Sequence, residues 1–418
     1  MLFVHLYLIA LYVRPQDWAP AFLGLPTAYI LIPAAMLFAF RNYMGDRERF
    51  RIPQNGLLPI YLLVIAFSTW LNVDGTSALE QFEIFLKRIV VFFMIAWLAT
   101  SAERLRQVVW MVLALSLFLV YQGYLQATEG AGWGGVTPHP NYAEVRIRWH
   151  GDWDGPNVLG LLFVIAAGLA LEYVFGPYAF VGRCAGALLL ASFLGGIYLT
   201  NSRGAVLAFG CAVLFYFKDR FRGLFALGTG VAALAALLVY GPSRMSELST
   251  GEASARERTW LWEQGLGMLR QNPLFGVGRG EFIERADPQL LAHSNYVQNF
   301  AETGLIGFFC FLAVLWFCFR GCLLVAEFSR TSQPALASFA RMMTTVLVGY
   351  MAATFFVVME LDLLYFVLGL SAAVYLVARK ENPAIPPLRF TRFDLAVIVG
   401  GMFVIIALVW LVAVTEII

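Results

Sequence analysis

The chain divides into long, continuously apolar runs, and this feature leaves few folds open. The runs lie near 2–13, 22–40, 57–73, 83–100, 105–126, 157–176, 181–199, 203–217, 223–240, 300–318, 337–358, 361–378 and 395–415. A bilayer core needs about 20 apolar residues per helix. Only helices or closed barrels satisfy every backbone group in lipid, and these runs do not alternate as barrel strands do. The chain therefore reads as all-α, a polytopic integral membrane protein with 12–13 transmembrane helices, the first run being short for a span. Composition agrees: 60% of residues are hydrophobic and 13% charged, against about 45–50% and 25% in soluble domains. The first run lacks a basic leader and a small-residue cleavage site, so no cleavable signal peptide is expected. Cys184, Cys211, Cys310, Cys318 and Cys322 fall in or beside the runs without metal spacing and read as small apolar packers.

Net charge is only +2, so the distribution of charge carries more than its sum. One set of connections is basic: Arg41, Arg47, Arg49 and Arg51; Arg104 and Arg106; Lys218, Arg220 and Arg222; Arg379, Lys380, Arg389 and Arg392. Alternate connections carry Asp74 and Glu80, then Glu360 and Asp362. Lys and Arg in short loops mark the cytoplasmic side. Two long loops, 127–156 and 241–299, then lie outside, within a single membrane domain of residues 1–418. Several arginines contravene the rule on that outer side, among them Arg146, Arg148, Arg203, Arg256, Arg258 and Arg279; Lys87 and Arg88 lie near the outer end of their run. Some are ordinary solvated charges. Arg203 follows Thr200-Asn201-Ser202 and opens an apolar run, where it either snorkels at the interface or holds an anion.

The two outer loops differ in character. Loop 127–156 is dense in Trp, Tyr, Gly and charge, too aromatic for disorder. Its aromatics either seat it in the membrane interface or stack on sugar faces. It ends in the turn Asp154-Gly155-Pro156-Asn157, where Asn157 can cap the next helix or contact a ligand. In loop 241–299, residues 254–270 carry apolar positions at near-helical spacing and predict an amphipathic helix with Arg258 and Trp262 on one face. Asn272-Pro-Leu-Phe-Gly-Val-Gly-Arg-Gly280 follows; its glycines permit a tight non-helical backbone, and it is neither a Walker loop nor a dinucleotide fingerprint.

Residues 292–307 are the most polar stretch leading into an apolar run. His293, one of four histidines in 418 residues, is followed by Ser294, Asn295, Tyr296, Gln298, Asn299 and Glu302, then Gly304 and Gly307. Unpaired polar groups cost several kcal/mol in hydrocarbon, and an ionisable residue at a span's mouth is a functional candidate. The bland alternative for His293 is a capping or interfacial residue. Glu302 either orients His293 or faces a polar cavity.

Taken in order, Arg203 in Asn-Ser-Arg-Gly, Arg258-Thr-Trp-Leu-Trp262, Asn272-Pro-Leu-Phe-Gly276-Val-Gly278 and His293-Ser294 with Gly304 and Gly307 resemble the O-antigen ligase/polymerase superfamily of membrane glycosyltransferases. The resemblance is strongest over 196–310. It implies a multi-helix fold similar to other lipid-linked (GT-C-like) glycosyltransferases, in the bacterial inner membrane with a periplasmic site. It further implies an undecaprenyl-diphosphate-linked glycan donor, a glycan or lipid A-core acceptor, a possible chain-length regulator as partner, no metal and no cofactor. The sequence itself lacks a Cys/His cluster.

On this reading Arg203 and Arg258 take the diphosphate and His293 takes the acceptor's proton. Arg256, Arg279, Lys87 and Arg88 are secondary anion ligands, with Asn157 and Glu302 as further substrate-binding candidates. Polymerisation of carrier-linked repeat units (exopolysaccharide or O-antigen) is the leading expectation, because the main outer loop is compact and the opening Tyr12-Val-Arg-Pro-Gln-Asp-Trp18 looks like that of exopolysaccharide-cluster members. The alternative is a ligase to lipid A-core; a protein O-oligosaccharyltransferase or a transporter ranks below. A transporter is disfavoured because the polar motifs gather at one face and no internal repeat is visible.

Overall fold

The computed structural model describes residues 1–43, 51–140, 144–218 and 253–415. Among these, every regular element is helical and no strand occurs. The main helices are α1 (Leu2–Tyr12), α2 (Pro15–Trp18), α3 (Thr27–Tyr43), α4 (Gln54–Asn72), α5 (Gly75–Leu98), α6 (Ala102–Glu129), α7 (Pro156–Phe175), α8 (Phe180–Thr200) and α9 (Arg203–Phe217). After the second long loop begins they continue with α10 (Ala253–Gln271), α11 (Glu281–Arg285), α12 (Asn295–Phe328), α13 (Pro334–Ala353), α14 (Asp362–Glu381) and α15 (Arg392–Thr415). The amphipathic helix expected at 254–270 is α10.

Among the described residues, eight helices are long and apolar enough to cross a membrane: α4, α6, α7, α8, α12, α13, α14 and α15. The protein is thus a polytopic helical membrane protein, although the expectation of 12–13 spans is not met one for one. The runs at 2–13, 22–40 and 203–217 form apolar helices of under 18 residues. The run at 83–100 lies in α5, which is 24 residues long but carries Glu80, Glu83, Lys87 and Arg88. The run at 223–240 lies outside the described residues.

Local chemistry sets the helix ends. Asp74 caps α5 by accepting from Ser77 N–H at 2.8 Å. Ser202 caps α9 by accepting from Ala205 N–H at 3.4 Å. Pro156 and Pro334 open α7 and α13, where a missing N–H costs nothing. The α6 helix stops at Gly130, which is left-handed.

Helices α7 and α14 are almost wholly buried, whereas α8 and α15 expose most of their apolar side chains, including Leu188, Phe403 and Trp410. A bilayer covers such faces. Close approach in the centre uses small residues: a Cβ at Gly160 would come 2.9 Å from the Ala205 side chain, and one at Gly349 3.0 Å from Val164.

The longest helix is broken. At Gly304 the backbone of α12 turns to φ 64°, ψ −168°, a region essentially reserved for glycine. The break frees backbone groups inside the bundle, and the 272–280 segment takes them. Val277 and Gly278 N–H donate to Ala301 and Glu302 carbonyls at 3.0 and 3.1 Å. Leu305 and Ile306 N–H donate to Pro273 and Leu274 carbonyls at 2.8 and 3.2 Å. Side chains at either glycine would collide with the other strand of this contact: a Cβ at Gly276 would meet Glu302 backbone, and one at Gly304 would meet Leu274 backbone. The Asn-Pro-Leu-Phe-Gly-Val-Gly motif is therefore the partner of a broken span. Non-helical backbone at membrane depth is tolerated only where protein re-satisfies it.

Candidate functional site

The chain's chemistry gathers at one end of the bundle. There the starts of α7, α9, α12 and α14 meet the ends of α4, α8 and α13; α10 packs against α12 and α15, and the 272–280 segment pairs with the break in α12. Four contacts fix the assembly. Asn157, at the start of α7, accepts from Ser202 Oγ at 2.9 Å and Arg146 Nη2 at 3.0 Å. Arg146 Nε also donates to Thr200 carbonyl at 3.1 Å. Asn295 N–H, in the first turn of α12, donates to Thr354 carbonyl at 2.8 Å.

His293 sits immediately before α12 with φ 50°, a left-handed backbone that few non-glycine residues adopt. Both polar groups of the preceding peptide unit are held by side chains. Ala292 N–H donates to Gln298 Oε1 at 3.1 Å, and Ala292 carbonyl accepts from Trp262 Nε1 at 2.9 Å. The imidazole is half-buried, and burial holds its pKa below the usual histidine range; the nearby Arg258 cation lowers it further, while Glu257 opposes. Arg258 stands one helical turn before Trp262 on α10, so the tryptophan that grips Ala292 also brings that guanidinium to His293.

Arg203 is the first residue of α9 and half-buried. Its neighbour Gly204 lies against Phe356, with room for a Cβ only at 3.1 Å. The 354–361 connection that carries Phe356 is the one whose Thr354 anchors Asn295. The 354–361 connection thus touches both Gly204, next to Arg203, and Asn295, two residues after His293. Just past His293, Ser294 Oγ and both side-chain polar atoms of Asn295 are buried without a protein partner.

The remaining candidates have other placements. Arg279 is buried and engages two carboxylates: Glu302 Oε2 at 3.1 Å and Glu360 Oε2 at 3.0 Å, with its guanidinium 4.7 Å from the Phe85 ring centroid. Two carboxylates therefore face the guanidinium expected to bind the diphosphate, and its Nη1 is buried without a protein partner. Glu302 binds Arg279, accepts from Gln298 Nε2 and accepts from Phe282 N–H at 3.4 Å, so its link toward His293 runs through Gln298. Lys87 is turned to Tyr29 hydroxyl at 2.7 Å and Glu83 at 3.3 Å on the α3–α5 face. Arg88 lies 3.9 Å from Asp362 and packs on the other contact of Phe85, at 4.7 Å. Asn157 ties α7 to Arg146 and Ser202 rather than capping its own helix. The side chain of Arg256 lies outside the described residues.

Sequence reasoning missed Glu360, Tyr61 and Gln298. Glu360 accepts from Tyr61 hydroxyl at 2.8 Å, Tyr365 hydroxyl at 2.9 Å and Asn299 Nδ2 at 3.2 Å. An acid at the mouth of a span was the available signal for Glu360, and the polar run 293–302 was the one for Gln298; Tyr61 offered none. Among the described residues, no group of three or more His, Cys, Asp or Glu side chains is placed to hold a metal ion.

The architecture and site thus define a polytopic helical membrane protein with ionisable and polar residues concentrated at one end. Residues 187–312 match the family model of the O-antigen ligase domain, and Arg203, Arg258 and His293 all fall inside that match. The match also covers α9, α10 and the helix break with its partner segment. No curated protein matches the chain.

Proposed function

We propose that this protein transfers a glycan from a polyprenyl-diphosphate carrier to an acceptor hydroxyl, at the periplasmic face of the bacterial inner membrane. The observation that carries the reading is the meeting of His293 and Arg258, with Arg203 next to the Gly204 that touches the 354–361 connection, inside the stretch matched to O-antigen ligases. The neutral imidazole of His293 accepts the acceptor's hydroxyl proton. The freed oxygen attacks the anomeric carbon, and the carbon–oxygen bond to the diphosphate breaks with inversion. Arg203 and Arg258 take the growing negative charge on the leaving diphosphate. Preorganised cations in a water-poor site are well suited to that work, and their planar forks bind phosphate oxygens in pairs. A depressed histidine pKa fits a base that must be neutral near pH 7.

The leading reading of the acceptor is a second carrier-linked repeat unit, making the protein a polymerase. The second reading is transfer to lipid A-core, and the family match is compatible with both. Purified protein supplied with a carrier-linked repeat unit, with and without lipid A-core, separates them. Longer carrier-linked glycans from the repeat unit alone mark a polymerase; product only with lipid A-core marks a ligase. His293→Ala is expected to lower transfer by about 10²–10⁴-fold, the usual range for a lost general base. Full transfer by His293→Ala removes the base assignment, and unchanged carrier binding by Arg203→Ala removes the clamp.

A further inference from the structure

A half-buried imidazole on a left-handed backbone keeps its aim only if its surroundings over-determine it. Before His293, the Ala292 peptide unit is gripped at both ends. After it, Asn295 N–H is tied to Thr354. The Trp262 grip comes from α10, beside Arg258. The Gln298 grip comes from one turn down α12 and runs deeper into the protein. Gln298 is buried; its Oε1 faces Ala292 N–H and its Nε2 donates to Glu302 Oε1. Glu302 is buried and bound to Arg279 at 3.1 Å, and Arg279 is bound to Glu360 at 3.0 Å. Arg279 N–H in turn donates to Thr69 Oγ1 on α4 at 3.0 Å. An unbroken line of hydrogen bonds and ion pairs therefore runs from the rigid wall of the bundle to the residue before the base.

We propose that Gln298 is a positioning residue for His293, fixing the Ala292 N–H and with it the direction of the imidazole, while Glu302 and Arg279 fix Gln298. This rests on the reading of His293 as the base. The chemistry of the link makes it directional. Position 298 must accept toward Ala292 and donate toward Glu302, which an amide does and a carboxylate cannot. A carboxylate at 298 would face the Glu302 carboxylate with no proton donor between them. Exchanging the two groups restores the link between 298 and 302: Glu at 298 accepts from Ala292 N–H, and Gln at 302 donates to it while its carbonyl oxygen accepts from Arg279, at the loss of the 3.4 Å contact from Phe282 N–H.

The test compares wild type, His293→Ala, Gln298→Ala, Gln298→Glu and the double variant Gln298→Glu/Glu302→Gln. The assay is transfer from the cell's own extracted, radiolabelled polyprenyl-diphosphate-linked oligosaccharides. Tyr216→Phe serves as the control, since it removes a comparable hydrogen bond to buried Glu172 at the other end of the bundle. Gln298→Ala is expected to lower kcat by about tenfold or more with KM for the donor within about twofold, the mark of an interaction expressed in the transition state. The control is expected to keep wild-type kcat. Gln298→Glu is expected to be the worse single change, and the double variant is expected to recover kcat relative to it. The proposal falls if Gln298→Ala keeps wild-type kcat while His293→Ala is inactive. Should Gln298→Ala not fold, a folded double variant with no gain over Gln298→Glu overturns it equally. Full activity of His293→Ala overturns instead the base reading beneath it.

Discussion

Two clusters of buried charge stand at opposite ends of the bundle, and they are built differently. At one end Glu172 on α7 is fully buried against Arg341 on α13, with Nε 3.0 Å from Oε1, and accepts from Tyr216 hydroxyl on α9 at 2.7 Å. One acid meets one base, and every member comes from a continuous helix. At the other end, one guanidinium, Arg279, meets two carboxylates, Glu302 and Glu360. Two of these three come from connections and the third from a helix broken two residues later. The first cluster joins walls that already exist. The second holds together backbone that no helix organises, and that backbone carries His293. The site end therefore depends on its charges for its shape as well as its chemistry.

The largest test of this contrast removes one arginine from each cluster. Removing one partner of a buried ion pair typically costs about 3–5 kcal/mol. Arg279→Met leaves two buried carboxylates and is expected at the upper end of that range, with loss of transfer by whatever protein remains folded. The Arg341 side chain is 32% exposed, so water screens part of the loss, and Arg341→Met is expected at the lower end with kcat per folded molecule retained. Thermal unfolding in detergent, paired with active-protein kcat, reads both. Equal loss of kcat in the two variants would break the contrast.

A smaller effect is expected at the helix break. Gly304→Ala forces a Cβ against Leu274 backbone at a glycine-only conformation, costing about 1–3 kcal/mol from strain. Gly400→Ala on α15 has open space around it and gains helix propensity. It is expected to leave melting unchanged or slightly higher. A Gly304→Ala protein as stable as wild type would show that the 272–280 segment does not need the break.

The smallest effect is in the pH profile. Burial and Arg258 hold His293 below the usual histidine range, near 6.5 for an unperturbed group. The active form is neutral, so a lower pKa moves protonation to lower pH. The acid limb of kcat against pH is therefore expected below about 6.5. Glu257 opposes that shift, so Glu257→Gln is expected to move the limb further down, by less than about one unit. An acid limb that rises instead would contradict the placement of Arg258 beside the imidazole.

Much of this organisation was legible in the chain. Apolar length and continuity dictate an all-helical membrane protein, because hydrocarbon allows little else. Ordered motifs mark Arg203, Arg258 and His293, since charge at a helix mouth is expensive enough to be informative. Turn chemistry marks Gly276 and Gly304 as backbone specialists, but their mutual contact spans a long-range pairing that neither local sequence states. Only the tertiary structure decided which carboxylates face Arg279. A guanidinium's role depends on which carboxylates face it, and Glu302 and Glu360 reach it from separate elements. Likewise Gln298 is one polar residue among several on α12 until the fold sets it between Ala292 and Glu302. Sequence determines what each segment can bury and where charge is costly; which partner meets that charge is settled by the packing of helices far apart in the chain.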